Sequence, residues 1–94
     1  MVLTDEQFTK AMKALSEPNR LEIIRLVTQK QGTCGVTCAE VLAQLGISQS
    51  TFSHHVTELR DAEILVGVPE GRTVKLSINH ELLNLVKEKI SSLA

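Results

Sequence analysis

Phe8, Ala11, Met12 and Leu15 recur at i, i+3, i+4 and i+7, which places them on one face of a helix with mostly polar residues between them. Thr4-Asp5-Glu6-Gln7 ahead of them fits a capping box, in which a hydroxyl and an amide satisfy the free backbone donors of a helix start. Ser16-Glu17-Pro18 opens a second helix, since proline is tolerated in a first turn, and Leu21, Ile23, Ile24, Leu26 and Val27 predict that it is largely buried. The two glycines of Gln31-Gly32-Thr33-Cys34-Gly35 break it. Thr37-Cys38-Ala39-Glu40 is a second capping box, and Cys38, Val41, Leu42 and Leu45 predict a third helix of about two turns that ends at Gly46. After a turn of roughly three residues Ser48 caps a fourth helix, whose inward positions are Phe52, Val56 and Leu59.

The period then changes. Ile64-Leu65-Val66-Gly67-Val68, the turn residues Pro69-Glu70-Gly71-Arg72, and the alternation of Val74, Leu76 and Ile78 with Thr73, Lys75 and Ser77 predict a β-hairpin. Asn79 caps a last helix, in which Leu83, Val86, Ile90 and Leu93 repeat at steps of three and four and Leu82 broadens the stripe. No repeat, linker or low-complexity segment interrupts this order, so residues 1–94 read as one domain, mainly α with a β-hairpin, in the order ααα-α-ββ-α. Two helices joined by a tight turn form a helix-turn-helix, and a hairpin directly after it makes a winged helix.

With Phe52, Val56 and Leu59 inside, helical geometry turns Ser50, Thr51, Ser53, His54 and Thr57 of the fourth helix outward, with Gln49 at its exposed start. A merely solvated helix face is usually richer in Lys and Glu, whereas short hydrogen-bonding groups suit the major groove of DNA. Gln49 can present its amide bidentately to adenine, and Ser50 and Thr51 can meet base edges or a thymine methyl. Ser48, Ser53, His54 and His55 complete the DNA-binding set as donors at the groove and its phosphates, and Arg72 at the hairpin tip can reach the flanking backbone or minor groove. The competing reading is a winged-helix module that binds protein and no DNA, but such a surface should carry aromatic or aliphatic anchors on this face. An enzyme is disfavoured, because the chain has no phosphate-cradling glycine loop, no metal-hydrolase motif and no acid placed to orient a Cys-His pair.

Composition adds constraints. The formal charge is -1, so charge alone does not point to DNA, and neutral donors must carry part of the contact. The chain is 43% hydrophobic with Phe8 and Phe52 as its only aromatics, which requires an aliphatic core. At 94 residues, oligomerisation is a natural source of added stability. There is neither a membrane-length apolar run nor a signal peptide at Met1-Val2-Leu3-Thr4-Asp5, so a cytoplasmic location without membrane attachment is the default. In that compartment Cys34 and Cys38 are not a structural disulfide framework. Cys38 has two readings: a thiol with a lowered pKa at a helix N-terminus, or a small hydrophobe on the stripe of Val41, Leu42 and Leu45. His54 and His55 point about 100° apart and cannot easily share one ion.

Three segments resemble the arsenic-repressor (ArsR-type) family of winged-helix regulators over about residues 8 to 90. Ala14-Leu15-Ser16-Glu17-Pro18-Asn19-Arg20-Leu21-Glu22-Ile23-Ile24 is similar to its second-helix opening, SQSTFSHHVTELRDAEIL at 48 to 65 to its recognition helix, and GVPEGRTVKLSI at 67 to 78 to its wing. The resemblance implies a transcriptional repressor that holds operator DNA as a homodimer joined through the first and last helices and releases it when a metal ion, oxidant or other signal binds. The dimer interface would draw on Phe8, Met12 and Leu15 of the first helix and Leu83, Val86, Ile90 and Leu93 of the last. Cys34 and Cys38 fall where arsenic- and cadmium- or lead-sensing relatives carry clustered thiolates, so a thiolate-bound metal or metalloid, or a dithiol redox switch, is the sensor to test there. A trigonal arsenic site takes three sulfurs and one chain supplies two. His80 lacks the partners that zinc-sensing relatives place near the end of the last helix, which here reads Ile90-Ser91-Ser92-Leu93-Ala94.

Overall fold

A computed structural model describes residues 2–30 and 35–94 of the chain. In order, the elements are α1 (Asp5–Ala14), α2 (Pro18–Gln29), β1 (Val36–Thr37), α3 (Cys38–Leu45), α4 (Gln49–Asp61), β2 (Leu65–Glu70), β3 (Thr73–Ile78) and α5 (His80–Leu93). All five helices and the hairpin stand where the hydrophobic pattern puts them. The added element is β1, whose two residues pair antiparallel with β3, Val36 opposite Leu76 and Thr37 opposite Lys75.

Local chemistry sets the helix boundaries. The Thr4 hydroxyl accepts from the Gln7 N–H and the Gln7 Oε1 accepts from the Thr4 N–H, completing the capping box of α1. Glu17 caps α2 by accepting from the Arg20 N–H at 3.1 Å, with Pro18 in the first turn. Thr37 caps α3, Ser48 caps α4 and Asn79 caps α5. Gly46 ends α3 with φ 68°, the left-handed conformation that glycine adopts without steric cost. The end of α4 reaches the same conformation without a glycine. Glu63 has φ 64°, the Glu63 N–H donates to the Arg60 carbonyl at 2.9 Å, and the Ile64 N–H donates to the Leu59 carbonyl at 3.0 Å, a Schellman closure.

The sheet order is β1-β3-β2, so β3 is central. Leu65 pairs with Ile78 and Glu70 with Thr73, which leaves Gly71 and Arg72 as a two-residue turn. Pro69 and Glu70, expected within the turn, therefore belong to β2, where an edge strand tolerates the proline. α2 packs on α3, α4 and β3, and α1 packs on α4 and α5. Ile23, Val27, Val36, Val41, Leu59, Ile64, Leu76 and Leu82 make the fully buried centre.

The two terminal stripes divide between this core and the surface. Phe8, Leu15 and Leu83 are half-buried against the core. Met12, Ile90 and Leu93 remain 40%, 44% and 70% exposed. Val86 is only 3% exposed, which corrects its assignment to an intermolecular seam: its side chain is spent on the core of its own chain. Across the same two helices the Lys89 ammonium lies 3.4 Å from the Asp5 carboxylate. Among the described residues no helix is long and apolar enough to cross a membrane.

Candidate nucleic-acid interface

α3 and α4 meet through Gly46, Ile47 and Ser48, a junction short enough to fix α4 against α3. Ser48 spends its side chain there. Its hydroxyl accepts from the Thr51 N–H at 3.2 Å, donates to the Thr51 hydroxyl at 2.8 Å and lies 3.3 Å from that of Ser50. These bonds tie the first turn of α4 together before any ligand arrives. Phe52, Val56 and Leu59 are buried as the pattern requires, and Gln49, Ser50, Thr51, Ser53, His54 and Thr57 are exposed.

One member of the sequence-derived set is misplaced. His55 is 7% exposed and is the one polar side chain buried among the described residues. The Arg20 Nε–H donates to its Nδ1 at 3.1 Å, and the Glu17 carboxylate lies 3.6 Å from its Nε2. His55 therefore does not reach a phosphate. Its position 100° round the helix from His54 carries it over the edge of the outward face and into α2.

A cleft of about 520 Å³ runs between the start of α3, one flank of α4 and the hairpin. Gln49, Ser53, Thr57 and Arg60 line it from α4, spaced so that they share a flank, while Arg72, Thr73 and Val74 close it from the wing. Arg72 is exposed at the turn, where Gly71 takes φ 63°. Arg60 was missed by the sequence reading, although it continues the spacing of Gln49, Ser53 and Thr57. Its guanidinium lies across β2 at Gly67, and a Cβ there would meet Arg60 Cζ at 3.0 Å, so the glycine makes room for the cation. The cleft thus has short hydrogen-bonding groups along one wall and a guanidinium from each of two elements, a combination suited to a phosphate backbone beside base edges.

Cys38 lies at the first position of α3, half-buried and lining the same cleft. Burial pushes its thiol above the ordinary range, and the nearby Arg60 charge and the local backbone hydrogen bond offset only part of that. The direction is opposite to the lowered thiol pKa expected from the helix N-terminus, because loss of solvent outweighs the Arg60 charge and the backbone hydrogen bond. Cys34 lies outside the described residues. Among the described residues no three His, Cys, Asp or Glu side chains converge to hold a metal ion. The charge felt by Cys38 is that of Arg60, a poor neighbour for a bound cation. His80 is exposed at the start of α5.

A tight helix pair with a polar reading face and a cationic hairpin beside it defines a winged helix-turn-helix protein. Comparison with known proteins narrows the class. A helix-turn-helix domain family matches residues 15–68. The arsenical resistance operon repressor of Staphylococcus xylosus is 33% identical over 86 residues, covering 90% of this chain and 78% of the relative. Among solved structures, an ArsR family transcriptional regulator superposes with TM-score 0.83 at 19% identity, covering 99% of this chain and 92% of that one. The homodimeric winged helix-turn-helix DNA-binding domain of a possible ArsR-family regulator from Mycobacterium bovis does so with TM-score 0.73 at 19% identity, covering 94% and 79%. The chain belongs to the ArsR-type family of winged helix-turn-helix transcriptional regulators, a non-enzymatic class.

Proposed function

We propose that this protein is a cytoplasmic repressor that binds double-stranded operator DNA as a homodimer, with α4 in the major groove and the wing on the flanking backbone. The observation that carries the reading is the exposed polar face of α4 set across a cleft from Arg72. Gln49 is the adenine reader, Ser50 and Thr51 meet neighbouring base edges, Ser53 and His54 donate at the groove wall, and Arg60 and Arg72 grip phosphates. Ser48 acts indirectly by holding the first turn. The repressor from Staphylococcus xylosus and the homodimeric domain from Mycobacterium bovis support the assignment. The exposed Met12, Ile90 and Leu93, rimmed by half-buried Phe8, Leu15 and Leu83, offer a second copy an apolar seam on α1 and α5.

The release signal is assigned to the thiols. A peroxide-class oxidant taking two electrons and two protons from Cys34 and Cys38 would leave a disulfide and water and would tether the start of α3, which supports α4. Arg60 beside Cys38 favours this over a bound cation.

Selection of duplexes from a random pool by the purified protein, followed by titration at several salt concentrations, tests the core of the proposal. A selected sequence with two-fold symmetry is expected, and Gln49→Ala should cost about 1 to 3 kcal/mol at one position of each half-site. Absence of any enriched sequence would favour a protein-binding module instead. The same titration with reduced, peroxide-treated and zinc- or arsenite-treated protein, beside a Cys34→Ser, Cys38→Ser double variant, decides the signal. Unchanged affinity in spite of a disulfide confirmed by mass would remove the switch.

A further inference from the structure

We propose that Glu17 and Arg20, at the first turn of α2, are positioning residues for DNA readout: by gripping the His55 ring they fix the rotation of α4 about its own axis. The inference rests on the reading of α4 as the DNA-contacting helix. It starts from an energetic oddity. The inward face of α4 is otherwise Phe52, Val56, Leu59 and the adjoining Ala62, all apolar, and a leucine or methionine at position 55 would pack there without the cost of burying a polar ring. The chain instead buries an imidazole and provides partners at both nitrogens.

The two contacts differ in kind. The Arg20 Nε–H donates to Nδ1 at 3.1 Å, an ordinary hydrogen bond, which leaves the ring proton on Nε2. At 3.6 Å the Glu17 carboxylate is too far from Nε2 for a good hydrogen bond but close enough for electrostatic attraction. Glu17 is itself held, since its carboxylate caps α2 by accepting from the Arg20 N–H at 3.1 Å. A helix that is itself capped by one jaw of the clamp therefore grips the ring on two sides.

Close packing restrains a helix against rotation, and a directional bond adds a restraint that is lost once its partners separate beyond hydrogen-bond distance. Side-chain tips lie roughly 5 to 6 Å from a helix axis, so a rotation of about 15° moves Gln49, Ser50 or Ser53 by about 1.5 Å. That displacement breaks hydrogen bonds to base edges while leaving the charges of Arg60 and Arg72 near the phosphates. Losing the clamp should therefore erode discrimination between sequences more than general DNA affinity.

The experiment measures the ratio of affinities for the selected duplex and for a scrambled duplex, at one salt concentration, in Arg20→Met, His55→Phe, the double variant, His55→Asn and the control Gln49→Ala, with thermal unfolding recorded for each. Asparagine can place an acceptor near the position of Nδ1 but fills less space than phenylalanine. Arg20→Met and His55→Phe should each lower the ratio about tenfold, the double variant should be no worse than either, and His55→Asn should keep more of the ratio than His55→Phe in spite of its smaller volume. A fall in melting temperature with unchanged ratios would overturn the proposal, as would additive losses or a better ratio for phenylalanine than for asparagine. If Gln49→Ala also leaves the ratio unchanged, the reading of α4 as the DNA-contacting helix fails as well; a loss in Gln49→Ala alone rejects only the clamp.

Discussion

Replacing Glu63 by glycine should stabilise the protein, although it removes a charged side chain and adds a flexible residue. Glu63 follows α4 with φ 64°, where a Cβ crowds the neighbouring carbonyl at a cost of about 1 to 2 kcal/mol. Glycine escapes that cost but gives up roughly 0.5 to 1 kcal/mol in extra unfolded-state entropy. The native backbone already holds the required conformation: the Glu63 and Ile64 N–H groups close the helix end, and the Glu63 carbonyl accepts from Asn79 Nδ2 at 3.1 Å. The side chain is exposed, so little else is lost. From the middle of each range the net gain is about 0.75 kcal/mol, which for a domain of this size raises the melting temperature by about 3 to 6 °C. Thermal unfolding followed by circular dichroism, at matched protein concentration because association also raises the midpoint, is sufficient. Glu63→Ala serves as the control, since alanine removes the charge and keeps the Cβ. Equal midpoints for glycine and alanine would refute the strain argument, and a lower midpoint for glycine would reverse it.

Val86→Ala should lower the melting temperature at every protein concentration, by about 1.5 to 2.5 kcal/mol of stability, because the side chain is buried within one chain. Leu93→Ala should leave the stability of the dissociated chain nearly unchanged and weaken self-association, as sedimentation velocity would report. Arg60→Ala and Arg72→Ala should each reduce the salt slope of DNA binding by about 1 without changing sequence preference, and an unchanged slope would take that residue off the backbone. In a Cys34→Ser background Cys38 should react with iodoacetamide more slowly than a free thiol at neutral pH, its rate should rise only at higher pH than an ordinary thiol's, and denaturant should abolish the difference. The sign for stability follows from the same shift. The folded state favours the neutral thiol, so this group's contribution is full below the unfolded pKa and declines as pH rises from there through the folded one.

The architecture was legible because the helices repeat their apolar positions regularly and carry capping residues at their starts, from Thr4 to Asn79. β1 was not, since a strand of Val36 and Thr37 has no period to detect and exists only through its pairing with β3. On α4 the alternation of faces placed Gln49, Ser50, Ser53 and His54 correctly. It failed at His55, because a polar residue near the boundary between faces turns inward when a partner waits there, and Arg20 lies 35 positions earlier. Arg60 was overlooked for the converse reason: its place on the cleft depends on Gly67, a residue that marks space by having no side chain. For Cys38 the helix start was read correctly, but its effect on the thiol could not be weighed without knowing how much solvent the fold removes.

Thr37 holds two positions at once: it ends β1 opposite Lys75 of the wing, and its hydroxyl accepts from the Glu40 N–H to begin α3. Such a residue works as a common hinge pin. A displacement imposed on the neighbouring Cys38 would pull on β3 through the strand pairing and on α3 through the cap. One chemical event at that point would thus reach the hairpin and the reading helix by separate mechanical routes, altering the width of the cleft between them from both walls. Under the proposed switch, DNA would be released without unfolding either contact.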